Sequence, residues 1–391
     1  MEDLRIGVIG YGMRGGLTKH AHHPGEGSHV TLVAEPTERG RADARKAFGD
    51  DIAMVDDEDA LLERADELDA VMVMTPDFNH ASIALKTLAA GLPTFVEKPM
   101  GITTEQCDAM LAAAHEHRTR IYVGHNMRHM PVVRQMKAII DSGEIGNVKA
   151  VWTRHFVGHG GDYYFHDWHA DRSKATSLLL QKGAHDLDVI HWLAGGYTRR
   201  VSGVGELMVY GDITSRRDNS DQRMPDWFDI DVFPPSKQSN LNPVVDVEDI
   251  SMLQMQLDHG VYASYQQCHF TPDYWRNYTI IGDAGRIENM GDRGGSQIHV
   301  WTSRRGGPGR PDRVEVVGYG TGGHAGADPN LVGEFLRFAR DGGRTDVSAI
   351  AAREAVATGC AGADSVRSGG GMVEVPEVPA DLRTYFDGGQ S

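Results

Sequence analysis

Leu4-Arg5-Ile6-Gly7-Val8-Ile9-Gly10-Tyr11-Gly12-Met13-Arg14-Gly15 is an apolar run that closes on three glycines in the spacing G-x-G-x-x-G. Leu4 to Ile9 reads as a buried strand, and the residues after Gly15 read as a helix. In that context each glycine has a task. Gly10 allows a tight turn, Gly12 lets the backbone approach a pyrophosphate, and Gly15 permits close packing of helix on strand. A helix N-terminus then offers N–H groups and a partial positive charge to phosphates. Tyr11, Met13 and Arg14 fill the turn between the glycines and are cofactor-binding candidates with them. A second apolar run, Val30 to Ala34, ends in Glu35, where a carboxylate accepts hydrogen bonds from an adenosine ribose. An anion there repels a 2′-phosphate, so NAD is favoured over NADP; Arg39 and Arg41, just beyond, would tolerate a phosphate.

Outward from this motif, strand-like runs recur at Ala70 to Met74, Pro93 to Val96 and Arg120 to Val123, with helical patterns at Ala81 to Ala90 and Thr104 to His117. Strands alternating with helices at this spacing predict a doubly wound parallel sheet, an α/β dinucleotide-binding domain over residues 1–124. From about Gly146 the texture changes. Period-2 stretches at Val148 to Val157, Val201 to Tyr210, Ile250 to Leu257, Val261 to Gln267, Asn277 to Ile281 and Gln297 to Trp301 predict a largely antiparallel sheet with one wet face. Helical patterns at Ser177 to Leu193 and Leu331 to Arg340 accompany it, which makes residues 125–391 a second α/β domain. Gly211 to Val245 is polar and proline-bearing, and reads as a long excursion rather than core.

Composition sets limits. The chain has 391 residues, 40% hydrophobic and 24% charged, the profile of a soluble globular protein with a substantial core. A formal charge of −16 without a basic block argues against a nucleic-acid partner. No apolar run approaches a membrane span, and the acidic start Met1-Glu2-Asp3 is no signal peptide. Cys107, Cys268 and Cys360 are dispersed, as expected of reduced thiols in a cytoplasmic protein.

Val96-Glu97-Lys98-Pro99 closes an apolar strand, and the proline fixes the geometry at the strand's exit. A lysine there is well placed to hold an ammonium group over a cofactor pocket. Asn126 and Arg128 follow the next strand end and are expected to line a substrate pocket. Tyr163-Tyr164-Phe165-His166-Asp167-Trp168-His169-Ala170-Asp171-Arg172 mixes aromatic faces with polar groups, as carbohydrate rings require. A substrate-binding loop built on Trp168 and His169 is the favoured reading. Two others stand beside it: a metal site using His166, His169 and Asp167, whose spacing is atypical of zinc sites, and a structural corner packed by Trp168.

Taken in order, these motifs resemble the Gfo/Idh/MocA family of sugar and cyclitol oxidoreductases. The matching points are the glycine fingerprint, Thr75-Pro76 with Asn79-His80, Glu97-Lys98-Pro99 and Gly124-His125-Asn126-Met127-Arg128. Gly183-Ala184-His185-Asp186-Leu187-Asp188, Gly282-Asp283-Ala284-Gly285-Arg286 and Gly322-Gly323-His324-Ala325-Gly326-Ala327-Asp328 follow. The resemblance implies a Rossmann N-terminal domain, a C-terminal α/β domain with a large, open, mostly antiparallel sheet, and homodimers or homotetramers built by packing those sheets. It implies that Thr75, Pro76, Asn79, His80, Glu97 and Lys98 surround the cofactor, and that the Lys98–Pro99 bond can be cis. It also implies that Lys98 contacts substrate beside the nicotinamide and that His185 is the acid/base on the oxidised hydroxyl, a task suited to an imidazole.

One departure stands out. Where the family commonly has an aspartate four residues before the histidine, this chain has Gln181, followed by Lys182. On one helix both would share a face with His185, favouring a neutral imidazole and an acidic or heavily hydroxylated substrate. The leading expectation is an NAD-dependent dehydrogenase of a sugar, cyclitol or sugar acid, with no metal. The alternative is a redox-neutral NAD-dependent glycosidase that works by transient C3 oxidation, elimination, hydration and re-reduction. A sugar-binding regulator is the third, disfavoured by the retention of Lys98 and His185.

Overall fold

The computed structural model describes residues 2–306, 309–320 and 323–390. Two compact units emerge from the contacts within the chain. One comprises Met1–His129, Gly322–Arg353 and Val378–Ser391, and the other Met130–Thr321 and Glu354–Glu377. Among the described residues the strands form a six-stranded and a nine-stranded sheet.

The first unit carries β1 (Leu4–Ile9), β2 (Ser28–Ala34), β3 (Ala53–Val55), β4 (Ala70–Val73), β5 (Thr94–Val96) and β6 (Ile121–Val123). They pair in parallel in the order β3-β2-β1-β4-β5-β6, the Rossmann order. β4 is buried along its whole length, as a strand covered on both faces must be. Helices α1 (Glu38–Phe48), α2 (Glu58–Leu62), α3 (His80–Ala89) and α4 (Thr104–Glu116) connect the strands. Thr37 and Thr103 cap α1 and α4, their hydroxyls accepting from the N–H groups of Gly40 and Gln106. The segment after the fingerprint is a 3-10 helix, Gly15–Ala21, shorter than the helix predicted there.

Ile6, Val8, Met72, Phe95 and Tyr122 form one core with Leu331, Val332, Phe335 and Phe338 of α11 (Gly323–Asp341). Each such aromatic or branched side chain contributes ~1.5–3 kcal/mol on burial. The helix predicted over Leu331 to Arg340 therefore packs on the parallel sheet, as part of the first unit. Gly322 of the matching run lies outside the described residues. The short helix α13 (Ala380–Asp387) also belongs to this unit, and α12 (Ala349–Arg367) contributes residues to both.

In the second unit the strands are β7 (Val148–Phe156), β8 (Thr198–Glu206), β9 (Ile250–Leu257), β10 (Tyr262–Cys268), β11 (Trp275–Gly282), β12 (Arg286–Met290), β13 (Gln297–Trp301), β14 (Arg313–Val316) and β15 (Val373–Glu374). Their order is β14-β13-β12-β11-β7-β10-β9-β8-β15, antiparallel except for the β7–β10 pair. On one face Val151, Thr153 and His155 of β7 lie beneath helix α9 (Gly183–Ala194); on the other, Trp152, Val204, Met252 and Tyr262 are exposed. Gly282-Asp283-Ala284-Gly285 makes the β11–β12 turn, and a Cβ at Gly282 would sit 2.0 Å from the Ile145 carbonyl. That matching motif is thus a structural corner.

The remaining helices of this unit are α5 (Pro131–Asp141), α6 (Gly160–Tyr164), α7 (Arg172–Ala175), α8 (Leu178–Gln181) and α10 (Met224–Trp227). The excursion expected to lie outside the core has feet that build one. Leu241, with the half-buried Ile213 and Val245, packs beside Tyr210 and Val247 at its borders and against Val157, Tyr164, Phe165 and Leu178. Its start is pinned where the Asp249 carboxylate accepts from the N–H groups of Met208, Val209 and Tyr210 at 2.7–3.0 Å.

Candidate active site

Gly10 has φ +85°, and a Cβ there would lie 2.9 Å from Thr75 Cγ2. At Gly15 it would lie 2.9 Å from the Tyr11 ring. At Gly12 it would meet nothing within 4 Å, so the turn presents open backbone to a ligand. Beside it the Thr75 hydroxyl is buried without a hydrogen-bond partner among the described residues, as a group awaiting a bound nucleotide would be. Met13 is exposed on the turn.

Glu35 is only 5% exposed, and its carboxylate accepts from the Tyr11 N–H at 2.6 Å and the Thr37 N–H at 2.9 Å. It therefore couples the end of β2 to the glycine turn. Arg41 donates to the Glu35 carbonyl at 2.7 Å and pairs with Asp56, so its cation already has an anion. Burial pushes the Tyr11 phenol up to about 12, and its ring meets Phe48 edge-on at 5.6 Å.

Arg14 links the fingerprint to the Glu-Lys-Pro turn. Its Nε donates to Glu97 at 2.8 Å and its Nη1 to Asp328 at 3.2 Å. Burial would raise the Glu97 pKa, but the charges of Arg14 and Lys98 outweigh it and hold the carboxyl below its ordinary value. Glu97 also accepts from the Lys98 N–H at 2.6 Å, and the Lys98–Pro99 peptide is cis, as the resemblance implied. His80, fully buried, has its ring nitrogens 2.8 and 2.9 Å from the Pro99 and Thr75 carbonyls. This makes it a brace between the two segments. Pro76 leads into a short 3-10 helix that Asn79 closes.

The pocket candidates Asn126 and Arg128 are both buried in a 3-10 helix of the first unit. Asn126 donates to Asp328 at 2.7 Å, and Arg128 donates to the Asp346 carbonyl at 2.6 Å. Asp328, which joins Arg14 to Asn126, was legible only as the last residue of a matching run.

In the second unit the helix predicted over Ser177 to Leu193 is broken. α8 ends at Gln181 and α9 begins at Gly183, with Lys182 as the junction. A Cβ on Gly183 would lie 3.1 Å from the Tyr265 ring, so the chain runs close to the sheet here. The premise that Gln181, Lys182 and His185 share one helical face does not hold. Gln181 is buried on α8, and the Lys182 ammonium stands 6.0 Å from the centre of the Tyr164 ring. His185 sits in the first turn of α9, 6% exposed, followed by the buried carboxyls Asp186 and Asp188. Lys98 belongs to the first unit and His185 to the second.

Within the aromatic segment, Trp168 stacks on His169 at 3.7 Å, and Asp167 pairs with the His169 ring. Tyr164 stands edge-on to His169 and His269 at 5.4 and 5.3 Å. His166 turns away from His169, its nitrogens 2.8 Å from Gln238 Oε1 and 3.2 Å from the Asn240 carbonyl, with Trp227 stacked on it.

A family model described as an oxidoreductase family with an NAD-binding Rossmann fold matches residues 4–125, and the GFO/IDH/MocA C-terminal domain model matches residues 133–288. The chain belongs to the Gfo/Idh/MocA oxidoreductases. Its first unit is the NAD-binding Rossmann domain of that family. Among curated members, inositol 2-dehydrogenase 2 of Saccharopolyspora erythraea is 31% identical over 198 residues, covering 49% of this chain and 54% of the relative. A 2,7-anhydro-N-acetylneuraminate hydratase of Mediterraneibacter gnavus is 28% identical over 207 residues, covering 52% and 53%. The chain thus spans about half the length of these Gfo/Idh/MocA relatives. Levoglucosan dehydrogenase, solved with NADH and levoglucosan, shares the fold with a TM-score of 0.78 and 20% identity over 96% of this chain and 100% of that one. Among the described residues no helix is long and apolar enough to cross a membrane.

Proposed function

We propose that the chain is an NAD-dependent dehydrogenase acting on a secondary hydroxyl of a sugar, cyclitol or sugar acid. The observation that carries this reading is the 2.8 Å bond from Arg14 to Glu97, which ties the glycine turn to the tripeptide bearing Lys98. The Lys98 backbone is thereby tied to the glycine turn, which supports a role for its ammonium beside the nicotinamide. Bound NAD supplies a hydride acceptor. Thr75 and the Gly12 backbone would hold it, and Glu35 favours NAD over NADP because Arg41 is committed to Asp56. His185 takes the hydroxyl proton as general base, and Lys98 stabilises the developing alkoxide. Trp168 and His169, stacked in the aromatic segment, present a flat face for the substrate ring, with Gln181 and Lys182 as further polar contacts.

The redox-neutral reading keeps a place because Lys182 stands where the family commonly has no second lysine, and because one relative is a hydratase. Purified protein with NAD⁺ would be offered free polyols, including myo-inositol and levoglucosan, and aryl glycosides. Lasting NADH accumulation supports net oxidation. Aglycone release without lasting NADH supports the second reading, and neither, despite NADH binding, refutes both. For the assembly, the exposed face bearing Trp152 and Tyr262 supports a homodimer or homotetramer formed by packing two such sheets.

A further inference from the structure

We infer that Asp186 is a positioning residue for His185, holding the first turn of α9 against β7, β10 and β11 through a buried ionic network; this rests on His185 being the base. The Asp186 carboxylate is 0% exposed. On Oδ2 it accepts from His155 Nδ1 of β7 at 3.0 Å and from the Tyr265 hydroxyl of β10 at 3.0 Å. On Oδ1 it accepts from the Tyr278 hydroxyl of β11 and pairs with Arg276 Nε at 3.0 Å. Arg276 in turn reaches Asp292 at 3.5 Å, and Asp292 accepts from Tyr274.

The donors sit in register. His155 pairs with Arg276 across β7–β11 and with Gln267 across β7–β10, while Thr153 pairs with both Tyr265 and Tyr278. The side chains flanking the parallel β7–β10 pair therefore converge on one point below the helix. Burial opposes the charge on Asp186, but Arg276 and His155 outweigh it and keep the carboxyl well below its ordinary value.

Such a site is over-determined for a helix anchor. The helix is packed by Leu187, Ile190 and Leu193, and an apolar residue at 186 would extend that packing at no desolvation cost. A carboxylate that takes partners from three strands instead fixes one rotation of the turn. Adjacent helical residues point about 100° apart, so a fixed Asp186 fixes the direction of the neighbouring His185. The broken helix sharpens the need. The α8 ladder ends where the Lys182 N–H donates to the Leu178 carbonyl at 3.0 Å, and the carboxylate adds a fixed point within the first turn of α9.

The test uses the full chain, labelled with 15N-histidine and saturated with NADH, with His185→Ala assigning the ring resonances. Wild-type His185 gives one set from a single tautomer. Asp186→Asn is expected to move that set toward the tautomer average and, with myo-inositol or levoglucosan as probe, to lower kcat at least tenfold with KM within threefold. Tyr278→Phe, which keeps the ring and removes one donor, gives an intermediate effect and carries the test should Asp186→Asn not fold. His185 resonances unmoved in a natively folded variant overturn the inference, whether or not a probe is turned over. If His185→Ala retains turnover while the resonances do shift in Asp186→Asn, the base assignment has failed and the positioning has not.

Discussion

Glu35 shows how one side chain serves fold and cofactor together. Its carboxylate satisfies the Tyr11 and Thr37 N–H groups, and Gly40 is the residue that leaves it room, since a Cβ there would fall 2.4 Å from Glu35 Cδ. Replacing it with serine removes an acceptor from the buried Tyr11 N–H, at about 1–3 kcal/mol. The expected outcome of Glu35→Ser is a lower melting temperature together with a smaller Kd ratio between NADP and NAD. An unchanged ratio, read by fluorescence titration, would show that Glu35 does not reach the ribose. At this scale the sequence was legible where a residue's conformation follows from its distance to a strand end, as for Gly10, whose φ of +85° makes the tight turn. It was illegible where the partner lies far along the chain. Nothing in the spacing of the glycine turn announces that Arg14 meets Asp328, or that Asn126 meets the same carboxylate. Nor does its spacing announce that the Arg128 guanidinium donates to the Asp346 carbonyl.

Among the elements, the strand ends around β7 and β10 hold histidines that burial keeps neutral. His269, just past β10, is fully buried and donates through Nδ1 to the Asp249 carbonyl at 3.3 Å. Burial, and then the neighbouring His155, lower its pKa from 6.5 to about 3. The unfolded chain therefore binds a proton below about pH 6.5 that the folded chain does not bind until about pH 3. Stability from this group is present above 6.5 and falls as pH drops through that window. The melting temperature is expected to decline between about pH 7 and 5, and His269→Phe to flatten that decline. A slope unaltered by the substitution would place the acid sensitivity elsewhere. Periodicity located these strands well: Ile250–Leu257 and Gln297–Trp301 appear with the predicted bounds, because one face is wet and the other dry. It failed at α8 and α9, where the apolar pattern runs on unbroken while the helix is interrupted at Lys182. It also undervalued the excursion after β8. Polar composition hid its few apolar residues, Leu241 foremost, that make it part of a core.

For the whole molecule, the charge of −16 and the open face of the nine-stranded sheet bear on its partners. Trp152 is 57% and Tyr262 62% exposed on that face, a large apolar presence for a surface left to water. Light scattering is expected to find a dimer or tetramer, and Trp152→Glu to shift it toward monomer; a wild-type monomer at working concentration would refute the proposed assembly. Membership in an NAD-binding oxidoreductase family supports the proposed hydride transfer, and the roles of Lys98 and His185 are the part that must be tested. The most direct measurement is the rate of NADH formation by wild type and by His185→Ala on whichever polyol the wild type oxidises, with the NADH Kd of each. General base catalysis is worth about 10²–10⁴-fold. A loss in that range with NADH binding unchanged is the expected result. A His185→Ala enzyme that forms NADH at a near-wild-type rate would contradict it.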